Sequence, residues 1–139
     1  MSSSTLTTIR GHQDDKKTSL SKSIVLFSSD YDFCLSLSIF FSNRYRIIMT
    51  TDAVMLPLIV KDHRPDLLIA DAMLTENMKR RFTMMRKENP NLHIMLFYVS
   101  YFGQRLAMDD VHQYVDVMFP KPVDLEEVSQ NVRKLIETL

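Results

Sequence analysis

The chain has one cysteine, two glycines and no tryptophan in 139 residues, and its seventeen basic residues are matched by seventeen acidic ones. Each shortage removes a class of protein. A single thiol, Cys34, cannot build an intramolecular disulfide framework and fits a reducing compartment. Balanced charge supplies no overall field for nucleic acid or an anionic membrane, which leaves only a local basic patch open. No run of about 18 apolar residues is present, so no membrane-spanning helix is expected. The N-terminus also lacks the apolar core of a secretion signal. These absences lead to a cytoplasmic protein as the expectation. There is no phosphate-cradling glycine loop, no dinucleotide fingerprint and no Ser-His-Asp order. His12, His63, His93 and His112 are scattered without the spacing of zinc ligands.

Hydrophobic residues make up 45% of the chain and charged ones 24%, which suits one globular domain burying roughly two-thirds of its unfolded surface. Residues 1–22 differ from the rest: nine of them are Ser or Thr, and Asp14-Asp15-Lys16-Lys17 breaks any apolar period. Such a segment buries too little to offset its ordering entropy, so a flexible tail is expected, with docking on the domain as the alternative. The domain then occupies residues 23–139.

From Ser23 onward, strand-like and helix-like patterns alternate. Apolar runs at 24–27, 45–49, 67–71, 93–99 and 115–119 read as strands. Helices are predicted over 31–42, 53–61, 76–88 and 104–114, and from Asp124 to the C-terminus. Asp30 and the Asp124-Leu125-Glu126-Glu127 capping box supply start signals. Pro57 is expected to kink or shorten the second helix. Met84, Met85 and Met95 read as core filler, and Cys34 as a small buried apolar residue. The helix at 76–88 has a basic outer face of Lys79, Arg80, Arg81, Arg86 and Lys87, read as solvated, with docking to an acidic partner as the alternative. Five strands alternating with five helices predict an α/β fold: a five-stranded, doubly wound parallel sheet with right-handed crossovers.

The most informative stretch is Arg64-Pro65-Asp66-Leu67-Leu68-Ile69-Ala70-Asp71. Leu-Leu-Ile-Ala is too short for a helix and too apolar for a half-exposed strand, so it fits a buried parallel strand ending on a carboxylate. Met118-Phe119-Pro120-Lys121-Pro122 likewise ends a short apolar segment on a lysine. In open α/β sheets the carboxyl ends of the strands form the ligand-binding edge. Asp71 and Lys121 are therefore placed together there, with Ser28, Ser29 and Asp30 from the first strand.

This arrangement resembles the receiver domain of two-component response regulators, of flavodoxin-like type. The resemblance spans roughly residues 23–138 and rests on residues 24–30, on 64–73 and on 119–123, with Tyr45 as a weaker match. It implies that Asp71 is the aspartate phosphorylated by a histidine kinase or phosphotransfer protein, becoming an acyl phosphate. It implies further that Lys121 pairs with that charge, that Lys121-Pro122 is cis, and that Ser100 is the switch hydroxyl, one residue displaced from its usual place. The departures are Ser28 and Ser29 where the family has the acid pair that holds magnesium. Asp30 and Asp71 remain as weak metal ligands, so Mg2+ binding is expected to be reduced. Met118 stands at the aromatic switch position, and residues 74–78 lack the usual glycine or proline.

The function expected is phosphorelay signalling through protein contacts with a downstream partner, without direct nucleic-acid or membrane binding and with a homodimer left open. No room is left after Leu139 for a DNA-binding output domain, unless the chain is part of a longer one. The alternative is a pseudo-receiver, a protein-interaction module that works without phosphorylation. An enzyme on the same fold would need a nucleophile-base pair beyond Asp71 and Lys121, and none is seen.

Overall fold

Unbroken apolar runs, rather than alternating ones, mark strands that are covered on both faces, and the chain places helices on both sides of them. The computed structural model describes residues 21–99 and 111–137, together with the backbone of residues 7–9. Its elements in order are β1 (Thr7–Ile9), β2 (Ser23–Ser28), α1 (Tyr31–Phe41), β3 (Arg46–Thr50), α2 (Leu56–His63), β4 (Leu67–Asp71), α3 (Glu76–Glu88), β5 (His93–Tyr98), β6 (Val117–Pro120) and α4 (Leu125–Ile136). They form one sheet of strand order β1-β3-β2-β4-β5-β6. β2 to β6 pair in parallel, while β1 joins antiparallel to the edge of β3, Thr8 facing Ile48.

Alternate side chains of each strand face opposite helical layers. Ile24, Leu26, Ile69, Met95 and Phe97 pack with Cys34, Leu37 and Phe41 of α1 and with Val128, Val132 and Ile136 of α4. Val25, Phe27, Leu68, Ala70, Ile94 and Leu96 face Leu56, Ile59 and Val60 of α2 and Met78, Phe82 and Met85 of α3. Cys34 is fully buried, and loss of hydration pushes its thiol up to about 11.

The amino-terminal edge of the sheet is closed twice by the same device. Asp66 N donates to Ser23 O while Asp66 Oδ2 accepts from Ser23 N at 2.9 Å. Asp116 N donates to Ile94 O while Asp116 Oδ2 accepts from Ile94 N at 2.7 Å. In each case a carboxylate replaces the next backbone carbonyl, so a strand can begin without leaving a buried N–H unpaired. Arg86 of α3 donates to the same Asp116 Oδ2 at 2.6 Å.

Four expectations change. Thr7–Ile9, inside the segment read as a tail, pairs with β3. The second helix begins at Leu56 rather than at residue 53, which brings Pro57 into the first turn, where its missing N–H costs nothing. Met84 is 51% exposed and is not core. Four helices are complete among the described residues; of the fifth, expected over 104–114, residues 111–114 are described, and 111–112 are helical while 113–114 form a turn. With so few glycines, α2 ends on Arg64 in the left-handed region (φ 45°), a conformation that costs a side-chain-bearing residue roughly 1–2 kcal/mol. Its N–H repays part of this by donating to Val60 O at 2.8 Å.

Candidate functional site

Parallel register sets the site. Ser28, the last residue of β2, lies directly opposite Asp71, the last residue of β4, and Asp71 lies opposite Phe97 of β5. β6 ends one residue before Lys121, whose N–H donates to Tyr98 O at 2.8 Å. Three strand ends thus bring a hydroxyl, a carboxylate and an ammonium to one point on the carboxyl-terminal edge.

The carboxylate of Asp71 is well supplied with donors. Lys121 Nζ lies 3.1 Å from Oδ1 and 3.0 Å from Oδ2, and Ser28 Oγ donates to Oδ2 at 2.7 Å. Ser28 is completely buried, and its oxygen also accepts from Asp30 N at 3.0 Å. The side chains of Asp71 and Lys121 keep 12% and 27% exposure, so solvent still reaches the pair. The ring of Phe33 lies under the ammonium, 4.6 Å from Lys121 Nζ to its centroid, which favours the cation electrostatically. Phe33 in turn meets Phe97 edge-on at 6.1 Å, and Phe97 meets Phe119 at 6.2 Å. The Lys121-Pro122 bond is cis.

Of the residues singled out from sequence, Asp71 and Lys121 are therefore joined directly. Asp30 is exposed and spends Oδ1 on capping α1, accepting from Phe33 N at 3.2 Å. Ser29 is exposed as well. Ser100 lies outside the described residues. Ser28, placed on this edge from the sequence, proves to be a direct hydrogen-bond donor to Asp71. Phe33, within the helix predicted over 31–42, is a contributor that was not singled out, and nothing local in the sequence signals its place beneath Lys121.

Magnesium needs several hard oxygen ligands in near-octahedral order, with carboxylates preferred. Among the described residues no three His, Cys, Asp or Glu side chains gather in such a way. Ser28 has its proton on Asp71 and a lone pair on Asp30 N, and Lys121 already supplies the positive charge. As they stand, these residues do not make a magnesium site.

The same architecture recurs in solved structures. A response regulator from Thermotoga maritima superposes with a TM-score of 0.72 at 16% identity, covering 86% of this chain and all of that one. The fold is that of a receiver domain. A pilus assembly-related protein from Burkholderia pseudomallei gives 0.70 at 17% identity, over 88% of this chain and 94% of its own. A response regulator receiver modulated diguanylate cyclase from Pelobacter carbinolicus gives 0.67 at 18%, over 84% and 92%. No family model matches the sequence, and no curated protein does. No helix among the described residues is long and apolar enough to cross a membrane.

Proposed function

We propose that this chain is a receiver-fold signalling module that acts through protein-protein contacts without requiring phosphorylation. The observation that carries this reading is the Ser28 hydroxyl at 2.7 Å from Asp71 Oδ2, in the same pocket where Lys121 reaches both carboxylate oxygens. A carboxylate that attacks phosphorus needs positive charge beyond its own counter-ion to offset the transferring oxygens. Here one ammonium balances one carboxylate, and a neutral hydroxyl fills the position from which a second acid would recruit a cation. The pocket satisfies itself, and its output is a fixed surface rather than a switched one.

A second reading, phosphoacceptance on Asp71 from a histidine kinase or phosphotransfer protein, has one observation in its favour. Asp71 keeps some solvent access and has a lysine at hydrogen-bonding distance, the partner a phosphoryl group would take over. Intact-protein mass after incubation with acetyl phosphate and magnesium separates the two, with Asp71→Asn alongside. No gain is expected for either protein. A gain of one phosphoryl group in the wild type alone would replace the first reading by the second. Titration of magnesium by calorimetry should show negligible heat for the wild type and measurable binding for the Ser28→Asp, Ser29→Asp double variant.

A further inference from the structure

The helix that follows Asp71 carries more positive charge than the described residues around it neutralise. α3 buries Met78, Phe82 and Met85 and turns Arg80, Thr83, Met84 and Lys87 to solvent. With Glu76, Lys79 and the half-buried Tyr114, these side chains line a groove of about 350 Å³. Lys79 is accounted for, lying 3.3 Å from Glu76 and 5.5 Å from the centre of the Tyr114 ring. Arg80 donates only to the neutral Asn77 Oδ1 at 2.9 Å. Among the described residues no carboxylate forms an ion pair with Arg80 or Lys87.

Between these two cations sits Met84, 51% exposed. A long, polarisable, flexible side chain is well suited to an adaptable contact and contributes nothing to the core from there. Arg80 and Lys87 are two helical turns apart, which is about 10.5 Å along the axis. In an extended chain of polyproline type, residues three apart share a face and lie roughly 9 Å apart. Two acidic side chains at that spacing can therefore meet both cations, and of the two residues between them, each turned about 120° from that face, a long apolar one can reach back towards Met84.

We propose that the α3–Tyr114 groove docks an acidic protein segment with an apolar side chain between two carboxylates. The proposal rests on the interaction-module reading only in requiring a protein partner, and it involves none of the residues of the Asp71 pocket. Charge complementarity selects the occupant: an uncharged segment would leave both cations unmatched, and a basic one would be repelled.

The test is a titration of the isotopically labelled full chain, followed by amide shifts, with the peptide acetyl-Ser-Glu-Pro-Leu-Glu-Ser-amide and its counterpart in which both glutamates are glutamine. The acidic peptide is expected to move amides of residues 76–88 and of Tyr114, and less so as salt rises. Arg80→Glu with Lys87→Glu, both exposed and outside the core, should weaken binding at least tenfold with the rest of the spectrum retained. Absence of shifts on α3 at millimolar peptide, or equal shifts with the glutamine peptide, would overturn the proposal. Shifts of α3 that grow with protein concentration alone would assign the groove to a second copy instead. Nuclear Overhauser contacts from residues 100–110 to the Met84 methyl in the free chain would assign it to the chain itself. Peptide binding together with phosphorylation of Asp71 would leave this proposal standing and remove the phosphorylation-independent reading; no binding and no phosphorylation would do the reverse.

Discussion

Asp116 at one edge of the sheet and Asp71 at the other lie at opposite ends of strands, and each accepts hydrogen bonds from donors on neighbouring elements. They differ in what those donors are. Asp116 takes the Arg86 side chain but also, like Asp66, a backbone N–H at the start of a buried strand, and that bond belongs to the ladder itself. Among the described residues Asp71 takes only side chains, Ser28 and Lys121, which can rotate away or be substituted without opening the sheet. An aspartate bound to backbone is a structural fixture. One bound to side chains alone, with solvent at its flank, is where chemistry or recognition can change while the fold persists.

The comparison breaks most readily at Asp116. Asp116→Ala removes the acceptor of a buried N–H and the partner of Arg86, and should lower unfolding stability by about 2–3 kcal/mol in urea titrations. Asp116→Asn keeps an acceptor and should recover more than half of that loss. A cost for Asp116→Ala below about 0.5 kcal/mol would mean that this edge is no more structural than the other. Ser28→Ala should cost only about 1 kcal/mol, since Asp71 retains Lys121. In a double-mutant cycle, Ser28→Ala and Asp71→Asn should couple by about 0.5–1 kcal/mol, whereas Ser28→Ala and Asp116→Asn should be additive.

The smallest effect belongs to a third acid, Glu137, which bridges Arg44 and the Tyr45 hydroxyl at the corner between α1 and β3. Burial, and then the Glu137 carboxylate, push the Tyr45 hydroxyl up to about 12, while Arg44 and Tyr45 hold Glu137 below its ordinary range. Folding therefore favours the neutral phenol. Its contribution is complete below pH 10 and disappears as the pH rises from 10 towards 12. The Glu137 contribution has the opposite sense, present above the usual carboxylate range and lost on acidification. Tyr45→Phe should flatten the alkaline decline in melting temperature, and an unchanged decline would assign it to other groups.

The five parallel strands were legible because strands covered on both faces write themselves as apolar runs, as Leu67-Leu68-Ile69-Ala70 does. Asp71 and Lys121 were legible because parallel strands must end on one edge. β1 was not: Thr7–Ile9 holds its place by backbone pairing, and its composition matches the polar segment around it. Met84 was misread because methionine is equally at home in a core and on an adaptable surface, and only the helical phase of Phe82 and Met85 separates the two. The Phe33 contact with Lys121 was invisible because it joins residues 88 positions apart through the packing of α1 against the strand ends.

β1 covers residues 47–49 of a strand whose sequence there is Ile-Ile-Met. An uncovered apolar edge strand is a template on which further chains can polymerise. Three residues of the N-terminal segment therefore replace that apolar edge by a shorter one, Thr-Thr-Ile, so a safeguard against edge-to-edge pairing is carried outside the part of the chain that holds the pocket.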